Sequence, residues 1–453
     1  MKKNLPIIIV LLLFFIQEGN TQVVNYFSVP GYNEISKIDT NAYSVLPSGR
    51  YVKPAGQSIR ISHDPFGLAI SPNQKIAITM HENAITIIDL ASMQQKRIPE
   101  YKKNAFNPLK KGSFLGVAFN TNKNIVYLSG GDEGSVIIYD YVQNKKIDSI
   151  LLDGIFGGIK YEGSFTSDLI YEATRNELLI LDRGNFRLVR YSLNNKKIIA
   201  SIPTGRQPFG LAISPDQKTV LVANVGMYAY PIVEGTTKEN IQSQYINWHP
   251  YGNNTKESIE GKVIDGKKIP GLGSPNADES MSVFVIDLAT NKVKAKLKTG
   301  MLLGELVEDA EVIGGASPNS IVMGTKFAYV TNATNDNIAV IDYKRGRIAK
   351  HIAIKVDQRI DKLRGLVPFG IDLTKDEKYL FVALLGFNAV AKIDLASEKT
   401  LGLIPTGWGT TRVKLSNDDK TIYVTSCRGL GAGPNGGKNF KIPAQGSYIG
   451  DIQ

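Results

Sequence analysis

The 453-residue sequence has one cysteine, Cys427, so no intrachain disulfide can form. Histidine is scarce as well. His63, His81, His249 and His351 stand far apart, and no two of them have the spacing of zinc ligands. There is no Gly-x-Ser-x-Gly nucleophile elbow. The glycines at 429, 431, 433, 436 and 437 follow a strand pattern but lack the helix and the Gly-Lys-Ser/Thr ending of a phosphate loop. The acidic stretch Glu305, Glu308, Asp309 and Glu311 does not have a calcium-loop pattern and reads as a solvated loop. Basic runs with interleaved aromatics are absent, which speaks against nucleic acid as a partner. The net charge of +11 is spread over turn positions such as Lys145-Lys146 and Lys196-Lys197.

Long apolar runs are missing beyond the N-terminus. Leu5–Ile16, behind Lys2 and Lys3 and ahead of Gly19 and Thr21, falls short of the roughly 20 residues that span a bilayer. It reads as the core of an export signal over residues 1–21, giving a periplasmic or extracellular protein with no transmembrane segment. No cysteine near the signal is available to accept a lipid.

What is present is repetition. Pro65-Phe66-Gly67-Leu68-Ala69-Ile70-Ser71-Pro72 returns as Pro208-Phe209-Gly210-Leu211-Ala212-Ile213-Ser214-Pro215, and a third copy opens as Pro368-Phe369-Gly370-Ile371. Inner-strand candidates near Phe66, Phe114, Leu169, Phe209, Asn319, Phe369 and Arg412 imply seven repeats. Within a repeat the inner strand is followed by a polar turn, as at Ser71-Pro72-Asn73 and Ser214-Pro215-Asp216, a β-branched strand, and a strand ending in Ile-Asp or Tyr-Asp, as at Ile88-Asp89, Ile286-Asp287 and Ile393-Asp394. Four short strands per repeat match a propeller blade. The expected fold is therefore all-β: a seven-bladed propeller of four-stranded antiparallel blades in one domain, residues 22–453.

Two departures stand out. Residues 225–281 form an insertion within the fourth blade, long enough to be functional, and it carries Trp248-His249-Pro250-Tyr251-Gly252. The seventh repeat has two strands, then a glycine-rich loop, and lacks an Ile-Asp strand, so its blade is expected to be incomplete at the C-terminus. Ile38-Asp39-Thr40 through Leu46-Pro47-Ser48-Gly49 looks like the end of a repeat. It is expected to pair with the last blade and close the ring.

Tyr329-Val330-Thr331-Asn332, with Val222-Ala223-Asn224 and Tyr423-Val424-Thr425-Ser426, resembles the YVTN repeat of YncE-like seven-bladed propellers. Pro270-Gly271-Leu272-Gly273-Ser274-Pro275-Asn276, Gly315-Ala316-Ser317-Pro318-Asn319-Ser320, Ile404-Pro405-Thr406-Gly407-Trp408 with Thr411-Arg412, and Gly429-Leu430-Gly431-Ala432-Gly433-Pro434-Asn435 resemble a narrower group. In these secreted proteins the propeller precedes an alkaline-phosphatase-type phosphoesterase domain. The resemblance implies a propeller half without that domain's metal ligands, and a phosphoesterase or other protein, or an unknown small ligand, as partner.

The residues themselves give no catalytic constellation, no metal ligands and no cofactor motif. Trp408 and Arg412 bracket the start of the seventh inner strand, where an aromatic and a guanidinium can stack on and hydrogen-bond an anionic or sugar ligand. With Arg206, Asn224 and Asn332, at repeat-equivalent positions, they form a candidate channel-mouth set. His81 is the histidine best placed at the rim. Two readings stand: an exported non-catalytic binding or scaffold module, and a propeller hydrolase, such as a lactonase, with its site at the channel mouth.

Overall fold

The structure is a computed structural model that describes residues 28–431 and 449–452, except 63, 82, 101–104, 110, 111, 113, 114, 238, 241, 244–254, 308, 309 and 361. The export signal, His63, His249, the stretch 248–252 and glycines 433, 436 and 437 lie outside the described residues.

The repeated Ser/Thr-x-Asx segments fold locally. Ser71, Ser214, Thr374 and Ser416 each donate to the Asx side chain two residues on, and each accepts the backbone N–H five residues on. The Gln or acidic residue after that Asx takes a positive φ, at Gln74, Gln217, Glu377 and Asp419. Such an Asx-type hydrogen-bonded turn joins the first two strands of a blade with few residues. The recurring Ile-Asp works similarly at the next turn. Asp89, Asp287 and Asp394 accept backbone N–H groups of Ser92, Thr290 and Ser397 at 2.8 Å, and all three carboxyls are held below the usual range, chiefly by the Ser92 amide at Asp89, the Lys294 ammonium at Asp287 and the Ser397 hydroxyl at Asp394. These aspartates are turn formers.

Between the turns, β-branched runs make antiparallel four-stranded blades. Blade one is Gly67–Ile70, Ile76–His81, Ala84–Asp89 and Gln95–Ile98; blade two is Val117–Phe119, Ile125–Ser129, Ser135–Asp140 and Lys145–Leu151. Blade three is Thr166–Glu172, Glu177–Asp182, Arg187–Ser192 and Lys197–Pro203. Blade four is Pro208–Ile213, Thr219–Asn224, Ser282–Asp287 and Lys292–Lys298, with residues 225–281 between its second and third strands. Blades five and six are Pro318–Met323, Ala328–Asn332, Asn337–Asp342, Arg347–Ala353, and Pro368–Leu373, Tyr379–Leu384, Ala389–Asp394, Lys399–Pro405. Together they form an all-β propeller.

Where the repeat count predicts seven blades of this kind, six are cut from a continuous stretch of chain. The seventh inner strand, Thr410–Leu415, belongs to a sheet assembled from both ends, in the order Ile59–Ser62, Ile449–Ile452, Ile422–Ser426, Thr410–Leu415. Two expectations change here. The last repeat does have a third strand, Ile449–Ile452. The N-terminal strand paired with it is Ile59–Ser62 and not 38–49, because Ser44–Val45 pairs within its own hairpin with Tyr51–Val52.

Apolar clusters lie between neighbouring sheets. Ile78, Met80, Val126 and Leu128 join blades one and two; Leu179, Leu181, Val220 and Val222 join three and four. The composite sheet shares Val413 and Val424 with blade six, and Ile61 with Leu68, Ala77 and Ile88 of blade one. Each blade is thus stabilised by burial against its neighbours.

The glycine of the repeated phrase is explained by this packing. A Cβ on Gly210 would lie 2.1 Å from the Asn319 carbonyl oxygen of the next blade, and one on Gly67 would lie 2.5 Å from that of Leu115. Gly210→Ala is expected to cost about 1–3 kcal/mol by overpacking, read as a lower denaturant midpoint. An unchanged midpoint would show that the neighbouring blade yields freely.

Candidate functional site

In blades three to six and the composite sheet the inner strand carries a register shift beside the second strand, near its first residues. Such a bulge re-aims a side chain. The repeated phenylalanines of blades one, four and six meet: Phe66 and Phe209 each stand edge-on to Phe369, with centroids 5.7 and 5.9 Å away. Three rings thus meet where their inner strands begin. The blade before each Phe copy has a short polar residue at the equivalent place, and it donates to the proline carbonyl of the phrase. These bonds are Ser167 to Pro208 (3.0 Å), Asn319 to Pro368 (3.1 Å) and Thr411 to Pro65 (2.6 Å).

One residue further along, the seven inner strands carry Gly67, Gly116, Asp168, Gly210, Ser320, Gly370 and Arg412. The four glycines let the inner strands approach the next blade closely, and the three polar residues line a cavity on the axis. Beneath the phenylalanines lies an axial cavity of about 400 Å³, lined by Asp168, Ser320, Arg412, Lys414 and apolar residues, and reaching Phe119, Tyr171 and Met323.

Arg412 is fixed in place: Nε donates to the Phe66 carbonyl at 2.9 Å, Nη1 donates to Ser320 Oγ at 2.8 Å, and the guanidinium stands 5.6 Å from the Phe369 ring centre. Burial depresses its pKa, against the opposing pull of Asp168. Burial pushes the Asp168 carboxyl above the usual range, opposed first by Arg412 and then by the amides of Leu169 and Leu211. Both shifts mark a low-dielectric space in which charge is felt strongly.

Of the residues singled out in the sequence, Arg412 alone lines this cavity. Arg206 donates from Nη1 to the Met227 and Ser274 carbonyls, anchoring the base of the insertion. Trp408 is half-buried, and its backbone pairs with Gly429 and Arg428. His81, Asn224 and Asn332 are fully buried at the ends of second strands. His81 Nε2 bonds Thr79 and Thr86; Asn224 donates to the carbonyl of Ser282; Asn332 bonds Thr299 and Asn337. The structure does not bring the six together.

Asp168, Ser320 and Lys414 escape a reading of the sequence, because they lie in three different repeats. Aligning the seven inner strands by the Gly position exposes the first two. Among the described residues, no group of three or more His, Cys, Asp or Glu could hold a metal ion, and no helix is long and apolar enough to cross a membrane.

The fold and its axial cavity define a β-propeller. No family model and no curated protein matches the sequence. Among solved structures the chain is similar to Kuenenia stuttgartiensis hydrazine synthase, with 16% identity and a TM-score of 0.52, over 83% of this chain and 96% of that one. At that identity the likeness speaks for the propeller fold alone.

Proposed function

We propose that residues 22–453 form an exported, non-catalytic propeller, closed into a ring of seven by its N-terminal strand, which serves as a binding and scaffold module for a phosphoesterase. Closure is supported by the Thr411–Pro65 bond and by the cluster that Ile61 shares with blade one.

The observation that carries the binding role is the asymmetry of the two faces. In an antiparallel meander the connections from fourth strand to next first strand, and from second to third, share one face. The hairpins Gly154–Tyr161 and Leu306–Glu311 and the insertion 225–281 all rise there, whereas the opposite face has short turns. They leave Ile155, Tyr230, Ile232, Val263, Leu306 and Ile313 exposed, Ile232 at 80%. Exposed apolar side chains gathered on one face suit a protein partner.

Titration of the purified chain with an alkaline-phosphatase-type phosphoesterase domain should show association that Tyr230→Ser with Ile232→Ser weakens at least tenfold, about 1.4 kcal/mol. No association would remove the scaffold reading. Hydrolysis of lactones or phosphate esters by the purified chain, with or without divalent metals, would establish the propeller-hydrolase reading instead.

A further inference from the structure

We propose that the axial cavity binds a small organic anion: a carboxylate or phosphate-monoester head group on a compact apolar body. This carries the binding-module reading to a second site, and does not depend on loop-face docking.

Arg412 and Lys414 are two residues apart on one strand, so their side chains leave it on the same side, and both line the cavity. The Phe66 carbonyl and Ser320 hold the guanidinium through Nε and Nη1, which positions it before any ligand arrives. Among the described residues, neither Arg412 Nη2 nor Lys414 Nζ has a hydrogen-bond or ion-pair partner. Asp168 is the opposing charge, and it already accepts from the Leu169 amide at 2.9 Å. Two cations against one anion leave the lining with excess positive charge.

The apolar part of the wall includes Leu68, Leu115, Val117, Phe119, Ile170 and Val322, while polar groups make up the larger share of the exposed surface. A planar guanidinium beside an ammonium suits an oxyanion, and the apolar wall suits a hydrocarbon or aromatic body. The volume of about 400 Å³ lies within the range of small-molecule sites.

At this position blades one, two, four and six have glycine, which lets each of these inner strands lie close against its neighbour, while Asp168, Ser320 and Arg412 stand in the other sheets and line the cavity. Phe66, Phe209 and Phe369 meet at the start of their strands, and the cavity is lined by residues that follow them, among them Leu68, Ala212 and Ile371, toward the face with the short turns.

Isothermal titration with four probes tests this: 2-naphthoate, 2-naphthyl phosphate, neutral 2-naphthalenemethanol and inorganic phosphate. Either naphthyl anion, or both, should bind, which tells carboxylate from phosphate. The neutral analogue and inorganic phosphate should each bind more weakly by about tenfold or more.

Lys414→Met should weaken anion binding by about tenfold, as expected for one charged hydrogen bond. Ala212→Leu, which fills the cavity without altering its charge, should abolish binding; thermal melts confirm that both variants fold. The proposal is overturned if neither naphthyl anion binds at millimolar concentration, if inorganic phosphate binds as well as naphthyl phosphate, or if both folded variants bind like the parent.

Discussion

Deletion of residues 28–62 is expected to leave no cooperatively folded monomer. The segment contributes Ile59–Ser62, whose four residues pair with Ile449–Ile452. Ile61 is 6% exposed and packs with Leu68, Ala77 and Ile88, while Ile59 packs against the same cluster. Arg97 Nε donates to Ser62 Oγ at 2.6 Å, Arg50 Nη1 donates to the Gly386 carbonyl at 3.1 Å, and the Ala55 amide donates to Pro405.

Losing a buried isoleucine to alanine costs about 2–5 kcal/mol, and a domain's whole stability is about 5–15 kcal/mol. Two isoleucines and these bonds therefore account for a large share. The strand Ile449–Ile452 would also be left with an open edge, so association is the expected fate of the shortened chain. Size-exclusion chromatography with a denaturant melt decides the matter. A monomer with an unchanged midpoint would refute closure by the N-terminal strand.

Arg187→Met should destabilise the fold by about 3–5 kcal/mol, because it strands a buried carboxylate. Arg187 is 2% exposed and Asp182 fully buried; Nε donates to Asp182 Oδ2 at 2.8 Å and Nη2 to the Leu152 carbonyl at 2.8 Å. The guanidinium also lies 3.5 Å from the centre of the Tyr161 ring. It thus ties the second and third strands of blade three to the hairpin Gly154–Tyr161 on the loop face.

The double variant Asp182→Asn with Arg187→Met removes both charges. It should recover part of the loss, since the Asn side chain still meets Ser164 and Asn185. Denaturant midpoints of the two single variants and the double variant check this. A double variant less stable than Arg187→Met alone would show that the pair is not what holds this corner together.

How much is legible in the sequence follows the range of the interactions. The Ser-Pro-Asx turns and Ile-Asp strand ends can be read directly, since Ser214 bonds Asp216 and the Thr219 amide within six residues of chain. Asn224, Asn332 and His81 look like channel residues because their repeat positions coincide. Their side chains are buried and hydrogen-bond neighbouring strands, Asn332 reaching back to Thr299 after blade four, and counting repeats cannot show a hydrogen bond already made. Arg412 is legible as a charge near the axis, but its partners Phe66 and Ser320 are not.

By itself, then, the sequence determined the strands of the six continuous blades and their turns, because each depends on hydrogen bonds and alternation within a few residues. Tertiary structure alone decided three things: that Phe66, Phe209 and Phe369 meet, that Ile59–Ser62 joins the final sheet, and that Asp168, Ser320, Arg412 and Lys414 line one cavity. These depend on how far each sheet turns about the axis relative to the last. A bond such as that from Thr411 to Pro65 joins residues 346 apart, a separation over which no local pattern reaches.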